Sequence, residues 1–388
     1  MENRVESLFF ALLRFCVVDL PLKTEDREPI DEETLKALYR LGRRHDLAHL
    51  VGYALEQNGL LPAEGAVAQA LRKEYMTAVY RCTRMQHEHH VIADVLEREG
   101  ISFMPLKGAV LREHYPHAWM RTSCDIDVLL HGEDIPRAEQ ALIAAGFSRK
   151  GEGTHDVSLY SQLGVHLELH FSLNDPVCKC YAALDDVWST ASLAEDSECR
   201  YRMSDEMFYL YHVAHMAKHF LGGGCGARPY LDLWILNHRM RGDRAQRNAL
   251  LEQEGLLRFA TVCEALSEAW LSETEHDEVT LQMQRYLLTG GVYGSVDNRV
   301  KVRQKGVGGR HRYLMSRIFM PYERLKYMYP VLQKHRWLTP FMQVHRWCAR
   351  VLGGKMGRGI REARANRAVS QEEASRTECF IAEIGLSS

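Results

Sequence analysis

The sequence predicts an α+β fold: a small mixed β-sheet with helical regions before and after it. Three observations predict it. Residues 1–100 and 204–290 repeat apolar residues at helical spacing, whereas residues 101–173 hold short alternating stretches punctuated by glycine, and a period of two against one of about 3.6 separates strand from helix. At 388 residues the chain exceeds what one core usually holds, so two or three packed units are expected.

Residues 1–100 read as an N-terminal helical domain. The opening MENRVESLFFALLRFCVVDL has an apolar run, but Glu2 and Glu6 spoil a basic leader and Arg14 interrupts the run, so an amphipathic first helix is expected over a signal peptide. Asp31 precedes EETLKALYRLGRR, with acids at its start and bases at its end, which suits the helix dipole. Residues 66–99 form one long helical pattern through Leu71, Tyr75, Val79, Met85, Val91, Val95 and Leu96. Its His87, His89 and His90 do not share a helix face, so they read as a solvated patch rather than a metal cluster.

Residues 101–203 read as the catalytic α/β core. ISFMPLKGAVLREHYPHAWMRTSCDIDVLL (101–130) predicts a strand, a glycine turn, a short helix, a loop and a second strand. On that second strand Asp125 and Asp127 share one side while Ile126, Val128 and Leu130 share the other. Two neighbouring carboxylates at the head of a buried strand call for a cation. EDIPRAEQALIAAGF (133–147) predicts a helix with Ala138, Leu142 and Ile143 inward, followed by strands at 147–152, 155–161 and 165–173. In the last, His166, Glu168 and His170 face one way, so a neighbouring strand offers a third carboxylate to the aspartate pair.

Residues 204–352 return to helix, as a C-terminal helical domain. Ser204 caps DEMFYLYHVAHMAKHFL, in which His212, His215 and His219 lie on one face. With Asp232 as a fourth ligand they form a rival zinc site, though a histidine wall of a substrate pocket is the preferred reading. Residues 290–312 read as a Gly-rich basic loop or hinge. Residues 313–352 interleave bases with Tyr313, Tyr322, Tyr327, Tyr329, Trp337, Phe341 and Trp347, and 353–388 reads as a polar tail with no assigned structure.

Charge is uneven. Between residues 299 and 367 stand 18 Lys and Arg against Glu323 and Glu362, a net +16 in a chain whose formal total is −2. Such a block predicts a polyanion partner, whether RNA, nucleotide phosphates or an anionic membrane face. Ten scattered cysteines, with Cys178-x-Cys180 the only close pair, read as reduced thiols of a cytoplasmic protein. No stretch approaches the roughly eighteen apolar residues of a membrane span.

The string LKGAVLREHYP, then Arg121, then DIDVLL, then HLELHF resembles the bacterial nucleotidyltransferase-like family often labelled uncharacterised, a branch of the DNA polymerase beta-type nucleotidyltransferase superfamily. The likeness extends over roughly residues 1–350, taking in LYHVAHMAKH and YLDLWIL. It implies a nucleotidyltransferase-type sheet core and a Mg²⁺-dependent transfer of an NMP from an NTP to an acceptor hydroxyl. Asp125, Asp127 and Glu168 are then the metal ligands for two Mg²⁺ ions, and Lys107, Gly108 and Arg121 face the phosphates. His170, His212, His215, His219 and Asp232 are the candidate substrate pocket. The usual Gly-Ser turn is Lys-Gly-Ala here, which hands the missing hydroxyl's task to Lys107, and the third acid is Glu rather than Asp. The alternative is a catalytically inactive protein of this fold that binds nucleic acid or another polyanion through residues 299–367.

Overall fold

The computed structural model describes residues 2–153, 155–174, 181–292, 294–306, 309–352 and 356–386. Cys178 and Cys180 lie outside them, as does the side chain of Tyr327. Four helices come first: α1 (Glu2–Val18), α2 (Glu32–His45), α3 (Ala48–Gln57) and α4 (Ala66–Arg98). Asp31 caps α2 by accepting from the Thr34 backbone N–H at 2.7 Å, as its place before two acids predicts. α1 carries Leu8, Phe9, Leu12 and Leu13 into the core. On α4, His87 and His90 are exposed and His89 half-buried.

The sheet strands are β1 (Phe103–Pro105), β2 (Asp125–Leu130), β3 (Ser148–Glu152), β4 (Asp156–Tyr160) and β5 (His166–His170). The four-residue α5 (Gly108–Leu111) follows β1, and α6 (Ile135–Ala144) follows β2. The spatial order is β1-β2-β5-β4-β3, with β2 and β5 parallel and the other pairs antiparallel, so the sheet is mixed as the alternation predicts. Ile126, Val128, Leu130, Leu167 and Leu169 pack with the C-terminal half of α4 and with Ala138 and Leu142 of α6. Ile143, expected inward, is exposed. The opposite face, which carries the acids, looks toward the helices.

After the short α7 (Ala182–Asp185), strands β6 (Ser192–Leu193) and β7 (Tyr201–Arg202) make a small ribbon, and then come α8 (Asp205–Leu221), α9 (Arg228–Arg239), α10 (Arg244–Gln253), α11 (Leu257–Leu271) and α12 (Glu278–Leu288). Their buried residues form one cluster with those of α1–α3 and with Phe380, Ile381, Ile384 and Leu386. Helices from both sides of the sheet thus share a core.

Two stretches depart from expectation. Within 290–312, read as a loop, residues 296–306 form α13 (Val296–Gly306), whose Val300 packs with Tyr313, Ala365, Val369 and Ala374 in a small separate cluster. Beyond α14 (Arg310–Ile318), α15 (Tyr322–Met328), α16 (Val331–Lys334) and α17 (Thr339–Leu352), the polar tail forms α18 (Met356–Ala368) and α19 (Gln371–Glu383). Ser370 and Glu373 start α19 with a reciprocal capping box. Its polarity hid the few apolar residues that hold it, since Phe380 and Ile381 are buried among aromatic neighbours such as Phe220 and Tyr286.

Buried histidines make this fold acid-sensitive. Burial pushes His45, at the end of α2, down to about 4, while the unfolded chain takes up that proton near pH 6.5. Between those pH values the unfolded form binds more protons, so the His45 contribution is full at pH 7 and is lost as pH falls toward 4, about 3 kcal/mol in all. Urea unfolding at pH 7 and pH 4.5 is expected to show a smaller acid loss for His45→Phe than for the unaltered protein; equal losses would contradict it.

Candidate active site

The glycine turn between β1 and α5 is strained at Lys107. Lys107 has φ +44°, a conformation that a side chain disfavours. A Cβ on Gly108 would sit 3.3 Å from Ser123 Cβ and Oγ, so glycine lets the turn approach Ser123 without crowding it. The turn aims Lys107 back across the sheet, where its Nζ donates to Asp127 Oδ1 at 2.8 Å. α5 is too short to present a strong dipole, so the turn's charge comes from Lys107 itself.

The parallel register of β2 and β5 sets Asp127 beside Glu168 and Asp125 beside His166. His170 Nε2 donates to Asp127 Oδ1 at 2.8 Å and lies 3.4 Å from Glu168 Oε2. Two groups of ligand atoms, Asp127 with Glu168 and His170, and Asp125 with His166 and Glu168, each gather within 4.8 Å. Glu168 belongs to both. Three oxygen donors with two imidazoles fit a divalent cation.

Electrostatics differ sharply across this cluster. Burial alone raises Asp127, but the Lys107 charge and the His170 hydrogen bond outweigh it and hold the carboxyl well below the usual carboxylate range. Asp125 goes the other way, pushed up by burial and by the Asp127 charge. The His170 hydrogen bond draws Glu168 down. Burial opposes the charge of His170, yet its bonds to Asp127 and Glu168 raise its pKa. For Lys107 burial is likewise outweighed, by the Tyr211 oxygen and the Asp127 carboxylate.

These residues line a cavity of about 320 Å³ whose other wall is α8 and the start of α9. All eleven candidate residues from the sequence line it: Lys107, Gly108, Arg121, Asp125, Asp127, Glu168, His170, His212, His215, His219 and Asp232. Their partners sort them. Arg121, expected on the phosphates, donates from Nε to Asp232 Oδ1 at 2.7 Å and from Nη1 to the Thr122 carbonyl at 2.6 Å. Asp232 also accepts from the Tyr115 hydroxyl at 2.8 Å.

The zinc reading loses its geometry. Asp232 is held by Arg121 and Tyr115, and His212 Nε2 lies 3.0 Å from the Pro229 carbonyl. Among the described residues no group of gathered metal-ligand atoms includes His212, His215 or His219. Burial keeps all three neutral, pushing His215 far below its ordinary value and His219 down to about 4. They are an uncharged imidazole wall.

Sequence reasoning missed Tyr211, Lys218 and Arg228, which also line the cavity. Arg228 bonds Asp46 Oδ2 at 3.0 Å and the Thr122 carbonyl at 3.1 Å, so it fastens α9 to α2 and to the loop before β2. The glycine run at 222–224 was the signal available: it ends α8 and turns the next basic residue toward the site.

Residues 31–272 match the model of a family described as an uncharacterised nucleotidyltransferase. No curated protein and no solved structure matches the chain. The matched span holds every site residue named above and ends before the basic segment.

Proposed function

Since the chain belongs to this uncharacterised nucleotidyltransferase family, we propose that it is a Mg²⁺-dependent enzyme of the DNA polymerase beta type that moves an NMP from an NTP to an acceptor hydroxyl. The observation that carries this reading is the convergence of Asp125, Asp127 and Glu168 from two parallel strands on one cavity, with Glu168 common to both clusters. Those three residues would hold two Mg²⁺ ions. Bound there, the cations supply charge neutralisation at the carboxylates and at the phosphates.

The chain's own residues do the rest. The acceptor hydroxyl oxygen attacks the α-phosphorus and gives up its proton to solvent, the bond from that phosphorus to the bridging oxygen breaks, and pyrophosphate leaves with the electron pair. Lys107, fixed by its turn, and the cationic side chains of Lys218 and Arg228 on the facing wall draw the phosphates into the cavity. Glu168 is more exposed than Asp127. Because His170 lowers its basicity, its part is to orient the acceptor hydroxyl more than to take its proton. The imidazole wall on α8 borders the acceptor.

One observation favours the second reading, an inactive protein of this fold: Lys107 Nζ itself sits on Asp127 Oδ1, as a permanent counter-charge does. Incubation with each labelled NTP and a cell extract separates the two. The enzyme reading expects label on a defined acceptor, lost on chelation of Mg²⁺. Nucleotide binding that is indifferent to chelation, with no labelled product, would sink it.

A further inference from the structure

Helix α17 is built inside out. Its inward side chains are polar: Gln343 is 7% and Arg346 3% exposed, with Gln343 Nε2 donating to the Met320 carbonyl and Arg346 Nη2 to that of Ile318. Its outward side chains are mostly apolar: Phe341 is 62%, Val344 51%, Val351 56% and Leu352 88% exposed, with His345 and Cys348 exposed among them. Just ahead of it Trp337 is 68% exposed, its ring centroid 6.3 Å from that of Phe341. A largely apolar face turned to water, on a helix tethered by its polar side, marks a surface that meets something.

Charge says what it meets. Residues 310–352 carry nine Lys and Arg and one acid, Glu323, and Arg324, Lys334 and Arg336 are exposed in the segments that lead into α17. We propose that this arm docks the protein on an anionic membrane surface, with α17 lying in the plane of the interface. Anionic headgroups match the bases, an interfacial indole suits Trp337, and the acyl boundary accepts the aliphatic side chains. A nucleic acid offers phosphates and rings for stacking but nothing that buries Val344, Val351 and Leu352. A second copy of the chain would bring the same positive charge against itself. No described helix is long and apolar enough to cross a membrane, so the contact is a surface one. This inference is independent of the nucleotide chemistry, and the arm lies beyond the family match.

The test is co-sedimentation of the full-length protein with vesicles of phosphatidylcholine alone or with about 30 mol% phosphatidylglycerol. The unaltered protein is expected to partition onto the anionic vesicles only, and less at high salt. Val344→Ser/Leu352→Ser is expected to weaken partitioning about tenfold and Lys334→Glu/Arg336→Glu to a similar degree. Circular dichroism is expected to show both variants folded, because the altered side chains are exposed. In Trp337→Phe, quenching of tryptophan emission by brominated lipid falls. Three results would overturn the proposal: no binding to anionic vesicles at low salt, vesicle binding that the serine variant leaves unchanged, or a self-associated species in solution that the serine variant dissolves. Tight RNA binding untouched by the serine variant, with no vesicle binding, would overturn it in favour of nucleic acid.

Discussion

Asp125→Ala is expected to lower nucleotidyl transfer by about a thousandfold or more and to abolish Mg²⁺-dependent NTP binding, while the protein becomes no less stable. The second half of that expectation comes from the electrostatics. Asp125 is held up by burial and by the adjacent Asp127 charge, so its ionised form is a strain on the fold that alanine removes. Asp127→Ala removes the same catalytic function but behaves oppositely in unfolding. It leaves the Lys107 ammonium without its carboxylate in a pocket shared with His170, which costs about 3–5 kcal/mol. Measuring transfer and urea unfolding on both variants separates chemistry from folding. An Asp125→Ala protein as active as the unaltered one would end the metal-ligand role proposed for Asp125; equal stability of the two variants would end the account of Lys107.

Asp232→Ala is expected to be among the most destabilising single changes in the chain, by about 3–5 kcal/mol. Arg121 and Asp232 are 8% and 1% exposed, and alanine would strand the guanidinium where little water reaches it. The loop that Arg121 steadies leads directly into β2, so NTP binding is expected to weaken along with stability. Asp232→Asn keeps an acceptor for both Arg121 and Tyr115 and is expected to recover part of each loss. Urea unfolding of the two variants, read by circular dichroism, is the measurement. A loss of less than about 1 kcal/mol in the alanine variant would show the pair to be no more than a surface contact.

The sheet was legible because its strands alternate. The acids of β2 and β5 fall on one face and the aliphatics on the other, and no other placement satisfies both water and core. The cavity was legible for a related reason, since histidines at spacings of three and four on α8 had to share a face. What the sequence concealed were relations between distant residues. Nothing near Arg121 in the chain announces Asp232, and nothing near Lys107 announces that it would close on Asp127. Helices α18 and α19 were hidden by their polarity, because a helix held by a few buried residues has the composition of a solvated stretch. The aromatics around α17 were hidden in another way. Aromatics at helical spacing usually mean core, and Tyr313 does lie in one, yet Trp337 and Phe341 face outward.

The common core of α1 and the last described residues has a consequence for synthesis. On the ribosome α1 is made well before α11, whose Trp270 stacks on Phe10 with ring centroids 4.5 Å apart. Until α11 and α12 emerge, that helix is a sticky leader looking for shelter, and a chaperone that holds nascent apolar segments is its natural escort. Fragments that stop short of residue 380 should for the same reason be recovered as aggregates, because Phe380 and Ile381 belong to that shared core.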